Sequence, residues 1–294
     1  MSETLERLLR RDRAITIAGL AVLCALAWTY VVSGAGLGMS AWEMSGFSLF
    51  PHRMAAESTP VAPPMSDMPG MEGMSGMAMP ESTAPAPEAW TAGAWALIVA
   101  MWWVMMIAMM IPSAAPTILL YARVHRHALA QESQTPLAPT GAFAAGYLLV
   151  WLGFAIAAAV LHWTFERTGL VSAMMGAESR WLSGAVLIAA GLYQFSPLKA
   201  LCLAHCRAPA SFLSQQWRPG AAGALRLGAM HGAYCVGCCW VLMALLFVGG
   251  VMNLVWIAAL AVLVLAEKLA PHGQWIGRGI GAALLAWGVA TLVV

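Results

Sequence analysis

Methionine recurs at short, regular intervals in one polar stretch of this 294-residue chain. The segment MSDMPGMEGMSGMAMP places most of its thioethers three residues apart. Thioethers are soft ligands that select Cu(I) over hard cations. The competing interpretation is a low-complexity linker that happens to be rich in methionine. We favour the capture of a soft metal by Met65, Met68, Met71, Met74, Met77 and Met79.

A second run of methionines lies in an apolar segment, MWWVMMIAMMIP, which begins soon after the methionine-rich stretch ends. Several of its members are four residues apart, so a helix would place them in two adjacent rows along one side. Methionine also fills irregular gaps between packed helices, which is the competing explanation. The proximity of the two runs favours a metal path along Met101, Met105, Met106, Met109 and Met110.

Cysteine and histidine are grouped in another apolar segment, HGAYCVGCCW. The spacing i, i+4, i+7, i+8 puts one imidazole and three thiols on the same face of a helix. Thiolate and imidazole suit Cu(I), with Zn(II) as the alternative metal. Close packing of small residues between membrane helices is the competing explanation. The grouping favours metal or thiol chemistry at His231, Cys235, Cys238 and Cys239.

A further pair of cysteines, Cys202 and Cys206, is separated by one helical turn in LKALCLAHCR, with His205 beside the second. Lys199 and Arg207 are close in sequence, and positive charge favours the thiolate form that binds metal. An ordinary interfacial helix explains this segment equally well. We keep both interpretations and count the two cysteines and the histidine among the candidate ligands.

The segments that carry these residues are strongly apolar. Hydrophobic residues make up 61% of the chain and charged residues 10%, which excludes an ordinary soluble domain. The net charge of +2 is too balanced for a nucleic-acid binder. Because the long apolar runs are continuous and do not alternate with polar residues, they predict membrane helices and not a closed barrel.

We therefore predict an all-α, multi-pass membrane protein with about seven transmembrane helices. The N-terminus is placed inside and the C-terminus outside, because only Arg53, Arg167 and Arg180 of the 15 Lys and Arg residues then lie outside. Residues 1–37 form an anchor helix, 38–91 a flexible outer loop and 92–294 a six-helix core. The predicted spans are about 14–37, 92–121, 141–165, 181–201, 225–248, 252–266 and 276–294.

Two further expectations concern the sixth span. Only Gly249, Gly250 and Val251 separate it from the fifth span, which predicts a tight helical hairpin. Glu267 and Lys268 follow it at the inner face, where we expect an ordinary interfacial pair of charges, with proton coupling as the alternative.

Four stretches, WWVMMIAMMIPSAAP, GYLLVWLGF, GLYQFSPLKALCLAHCRAP and YCVGCCWVLMALLFVGGVMNLVWIAALAVLVLAEK, occur in this order within residues 102–268. Together they resemble a bacterial family of predicted metal-binding integral membrane proteins, a domain of unknown function. The resemblance implies a metal-binding protein of the bacterial inner membrane, without specifying the metal. It places within the family's motifs Met105, Met106, Met109, Met110, Cys202, Cys206, Cys235, Cys238, Cys239, Asn253 and Glu267.

The residues favour a copper-handling protein. Because it is predicted to span a membrane, lipid is one of its expected partners. The outer methionines would capture Cu(I), the membrane thioethers would pass it inward, and the cysteine and histidine sites would hold and exchange it. Transport and delivery to a partner metalloprotein fit equally well. Two alternatives stay open: a membrane thiol oxidoreductase using Cys235 and Cys238, and an assembly or structural subunit of a membrane complex. Binding is favoured over catalysis, and no nucleotide or nucleic acid is expected as a partner.

Overall fold

A computed structural model of the chain describes residues 3–36, 45, 90–129, 137–170 and 179–293. Within these ranges all regular secondary structure is helical, which confirms the predicted all-α class. The outer methionines predicted to capture metal, at positions 65 to 79, lie outside the described residues. In chain order the helices are α1 (Glu3–Val32), α2 (Ala92–Leu129), α3 (Leu137–Arg167), α4 (Arg180–Gln194), α5 (Pro197–Arg207), α6 (Pro209–Gln216), α7 (Gly220–Ala244), α8 (Leu246–Gly249), α9 (Leu254–Leu269) and α10 (Gly273–Val293).

Several of the described helical segments are long and apolar enough to cross a membrane. There are five such segments, or up to six if α4 and α5 together form one bent span. The sixth predicted span corresponds to α9, whose 16 residues measure about 24 Å at 1.5 Å per residue, short of a ~30 Å hydrocarbon core. The prediction of a multi-pass membrane protein is therefore supported, with five to six candidate spans in the described residues. The five segments are Arg13–Val32, Ala92–Arg126, Pro139–Arg167, Gly220–Gly249 and Gly273–Val293.

The fourth predicted span is broken into two helices. Helices α4 and α5 meet at an angle of 62° instead of continuing as one rod through residue 201. Pro197 has no backbone N–H to donate to the preceding turn, and the Ser196 hydroxyl accepts a hydrogen bond from the Leu198 N–H, which starts a new helix. The break directs α5, which carries Cys202 and Cys206, onto α7 and α9.

Helix α7 carries the HGAYCVGCCW segment through the centre of the bundle. It packs most extensively against α3, and α5 covers another part of its surface. Helix α3 approaches closely because Gly228 has no side chain, and a Cβ there would collide with the backbone of Phe143. His231, Cys235, Cys238 and Cys239 are consequently all buried.

Helix α9 follows α7 and α8 after a short connection, as predicted. Gly250 adopts a φ of +93° in this connection, and the Asn253 side chain caps α9 by accepting from the N–H groups of Val255 and Trp256. However, α9 packs mainly on α2 and then on α10, and only slightly on α7. The expected tight hairpin is therefore wrong as a description of packing, and the C-terminal end of α9 reaches the α2 side of the bundle.

Candidate metal centre

Four thiols from two helices form one buried group, which we call the thiol cluster: Cys206 of α5 and Cys235, Cys238 and Cys239 of α7. The Cys206 and Cys238 side chains lie within interaction range of each other across the helix interface. Cys238 Sγ lies 3.1 Å and Cys239 Sγ 3.0 Å from the carbonyl oxygen of Cys235, to which both thiols donate. The three thiols of α7 thus lie together, and Cys206 joins them from outside that helix.

The remaining candidate thiol of α5, Cys202, lies beside this cluster and is partly exposed. Its sulfur fits against Gly237 of α7, where a Cβ would lie only 2.7 Å from it. Cys202 also lies within electrostatic range of Cys238. The cysteines of α5 and α7 therefore form a continuous series from a partly exposed thiol to fully buried ones.

Lys268 belongs to the thiol site. The expectation that it forms an ordinary interfacial pair with Glu267 is therefore wrong. The Lys268 side chain is only 6% exposed, and its Nζ donates to Cys235 Sγ at 2.9 Å and to Ser113 Oγ at 3.0 Å. Tyr147 of α3 places its hydroxyl 3.1 Å from the same sulfur. The signal in the sequence was weak: a lysine ending an apolar run, and a single tyrosine in GYLLVWLGF.

Glu267, the neighbour of Lys268, belongs to a separate buried group. One carboxylate oxygen lies 2.7 Å from Lys199 Nζ, and the other accepts from Gln194 Nε2 at 3.0 Å. Arg207 donates to the carbonyl oxygens of residues 267, 270 and 271 at the end of α9. Both basic residues of α5 thus bind α9, so the ammonium that contacts a thiol is that of Lys268 and not that of Lys199.

The two candidate histidines have different surroundings. His231 is buried among the rings of Phe143, Tyr147 and Phe212, and its Nδ1 has no hydrogen-bond partner. Its ring lies within electrostatic range of Lys268 and Cys238. His205 instead stacks on Tyr234 with ring centroids 4.2 Å apart and bonds the Leu201 carbonyl through Nδ1. The structure therefore brings His231, but not His205, to the thiol cluster.

The methionines of α2 face the protein interior. All five side chains are at most 1% exposed, so none faces the lipid. At the C-terminal end of this row, the Met110 carbonyl accepts from the Ser113 hydroxyl at 2.9 Å and lies 3.5 Å from the Tyr147 hydroxyl. Those two hydroxyls also contact Lys268 and Cys235. The methionine row, formed by Met101, Met105, Met106, Met109 and Met110, therefore ends next to the thiol cluster.

The described residues contain no set of three or more His, Cys, Asp or Glu side chains spaced as a preformed metal site. What they contain is pairs of adjacent thiols, such as Cys206 with Cys238. Cu(I) is a soft ion that accepts low coordination numbers, and two thiolates are enough to hold it. The donor set and the enclosed surroundings fit such an ion.

Comparison with known proteins adds one finding. The sequence model of a family described as PpoB2, copper chaperone, matches residues 99–291. The matched region begins just before the methionine row and includes the thiol cluster, Tyr147 and Lys268. No curated protein and no solved structure matches the chain.

Proposed function

This chain belongs to the copper chaperone family, since the match covers more than half of its length, and from that premise we propose that it binds Cu(I) within a membrane and passes it between sulfur sites. The observation that carries this proposal is that the Tyr147 hydroxyl lies between the Met110 carbonyl of α2 and the Cys235 sulfur of α7, which brings the end of the methionine row close to the thiol cluster. Soft donor atoms therefore follow one another in space inside a bundle of apolar helices. Their arrangement suits the movement of a soft monovalent ion.

The proposed route begins at the methionines of the outer loop and continues along the methionine row. Cu(I) then reaches the thiol cluster, where Cys235 and Cys238 or Cys206 and Cys238 supply two sulfur ligands, with the free Nδ1 of His231 close by. Cys202, the partly exposed thiol, is the exchange site at the inner end. The N-terminus is proposed to lie in the cytoplasm of a bacterium and the outer loop on the oxidising side, where thioethers are more durable ligands than thiols.

Each step of this route is a ligand exchange. One copper–sulfur bond forms as another breaks, and the ion stays Cu(I) throughout. A site with only two ligands leaves space for an incoming third ligand, so neighbouring sulfurs can trade the ion through a shared intermediate. Cu(I) is here the cargo of the protein. The copper chaperone family favours a final transfer to a protein partner, and a transmembrane transporter would use the same residues.

The proposal is tested by the copper content of the purified full-length protein. Wild type is purified without oxygen, loaded with Cu(I), freed of excess metal and analysed by elemental mass spectrometry. A Cys235→Ser/Cys238→Ser/Cys239→Ser variant is expected to lose the copper held by the thiol cluster. Cys24→Ser is the matched control, because this thiol lies on α1, next to the backbone of Ala108 and away from the cluster; it should keep its copper.

Deletion of residues 65–79 tests the outer part of the route separately. This variant should lose only the copper held by the loop, so its copper content should fall below that of wild type while the copper of the thiol cluster remains. Equal copper in wild type and in the triple serine variant would contradict the proposal. A wild type without copper, whose cysteines react with an alkylating reagent only after reduction, would favour a thiol oxidoreductase instead.

A further inference from the structure

Lys268 carries a positive charge into the interior of the bundle without a carboxylate to balance it. Within the described ranges, the nearest acidic residue in sequence, Glu267, is bound by Lys199 and Gln194. The Lys268 ammonium instead contacts the sulfur of Cys235 and the hydroxyl of Ser113. A buried charge is costly unless an opposite charge or several hydrogen bonds compensate it. The thiol cluster is therefore the only source of negative charge that these contacts provide.

The ionisable groups around the ammonium come from three helices. Cys235 and Cys238 of α7, Cys206 of α5 and Tyr147 of α3 lie within electrostatic range. His231 of α7 is also near. A single cation thus faces several thiols, and thiols become thiolates when they bind a metal.

For a site of two thiolates, such as the adjacent pair Cys206 and Cys238, the sum of charges then distinguishes one class of metal ion from another. Two thiolates and one Cu(I) carry a total charge of −1, and the ammonium of Lys268 brings this total to zero. Two thiolates and a divalent ion are already neutral, so the ammonium would leave an excess charge of +1. In a poorly solvated interior the neutral combination is favoured over the charged one.

We propose that Lys268 is the specificity-determining counter-charge of the thiol cluster, which makes it a site for a monovalent soft cation held by two thiolates. The proposal rests on the proposed function, because it takes the cluster to be the Cu(I) site. It adds a preference for Cu(I) and the chemically similar Ag(I) over Zn(II) and Cd(II). It also assigns that preference to a residue that is not itself a ligand.

The same contacts support a purely structural role, in which Lys268 ties α9 to α2 through Ser113. The two roles differ in their effect on metal preference. Loss of a structural tie would weaken the binding of every metal to a similar degree. Loss of the counter-charge would weaken the binding of monovalent ions and strengthen the binding of divalent ions.

The experiment measures Ag(I) and Cd(II) affinities of the full-length protein in detergent, by competition with chelators of known affinity. Lys268→Met and Lys268→Gln remove the charge, and the glutamine variant retains a hydrogen-bond donor if the methionine variant folds poorly. Lys268→Arg retains the charge. Ser113→Ala removes the tie to α2 while keeping the ammonium next to Cys235.

We expect Lys268→Met and Lys268→Gln to lower the Ag(I) affinity by about tenfold to a hundredfold and to raise the Cd(II) affinity. Lys268→Arg and Ser113→Ala should keep the wild-type order of preference. An unchanged ratio of Ag(I) to Cd(II) affinity in both neutral variants would overturn the proposal, whether the two affinities stay constant or fall together. A wild type that binds neither ion would overturn the proposed function itself, which is a different outcome.

Discussion

The hydroxyl of Tyr147, on α3, lies 3.1 Å from the sulfur of Cys235, on α7, and both side chains are completely buried. The same hydroxyl lies 3.5 Å from the carbonyl oxygen of Met110 on α2. Tyr147 therefore connects the C-terminal end of the methionine row to the thiol cluster. Its hydroxyl can donate a hydrogen bond to a Cys235 thiolate, which would stabilise the form that binds metal.

Replacement of Tyr147 by phenylalanine keeps the ring and removes only the hydroxyl. We expect the Cu(I) affinity of Tyr147→Phe to fall about fivefold, because the thiolate loses a hydrogen bond worth about 1 kcal/mol. Competition with a Cu(I) chelator measures this change. The matched control is Tyr30→Phe, which removes a hydroxyl bound to the Ala35 carbonyl at the end of α1 and should bind like wild type. Identical affinities in the two variants would contradict the role of Tyr147.

Gly237 holds the Cys202 sulfur close to α7, because a Cβ at this position would lie 2.7 Å from it. In Gly237→Ala we expect the Cys202 side chain to rotate away, so the melting temperature changes little while copper leaves the cluster more slowly. The rate of Cu(I) transfer to a soluble chelator in stopped-flow absorbance measures this. Gly279→Ala on α10, where a Cβ meets no neighbour, is the control and should transfer at the wild-type rate. Equal rates in both variants would remove Cys202 from the route.

The methionine row can be altered without a large change of volume, since leucine and methionine are similar in size. We expect Met105→Leu/Met106→Leu/Met109→Leu to fold with a cost below about 1.5 kcal/mol per substitution. The thiol cluster should fill with Cu(I) more slowly, yet reach the same final copper content, because its own ligands are intact. The control is Met252→Leu, a buried methionine outside the row. A loading rate equal to that of the control would show that the row serves only packing.

Both side chains of the Lys199–Glu267 ion pair are buried, and the Lys199 Nζ and Glu267 Oε2 atoms lie 2.7 Å apart. Removal of one partner leaves an uncompensated charge, so Lys199→Met and Glu267→Gln should each lose about 3 to 5 kcal/mol of unfolding free energy. The double variant removes both charges and should be more stable than either single variant. Unfolding of the purified protein by denaturant measures all three. Strictly additive losses in the double variant would argue against direct coupling.

The sequence by itself determined the features that depend on neighbours along the chain. Continuous apolar runs determined the long helices, and residue spacing determined that the five methionines of α2 share one region and that His231 shares a face with three thiols. These features are local, because the 3.6-residue repeat alone decides which side chains of a helix lie together. The break near Pro197 was not predicted, because the fourth span was drawn through this residue to position 201 as one continuous apolar helix.

Only the tertiary structure decided which helix faces meet. The contacts of Lys268 with Cys235 and Ser113 join residues 33 and 155 positions apart, and the pair of Lys199 and Glu267 spans 68 positions. No periodic pattern encodes such contacts, because they follow from how α5, α7 and α9 pack and from where α9 turns toward α2. A lysine at the end of an apolar run usually reaches the aqueous interface. Here the packing of α9 against α2 keeps its ammonium inside, next to a thiol.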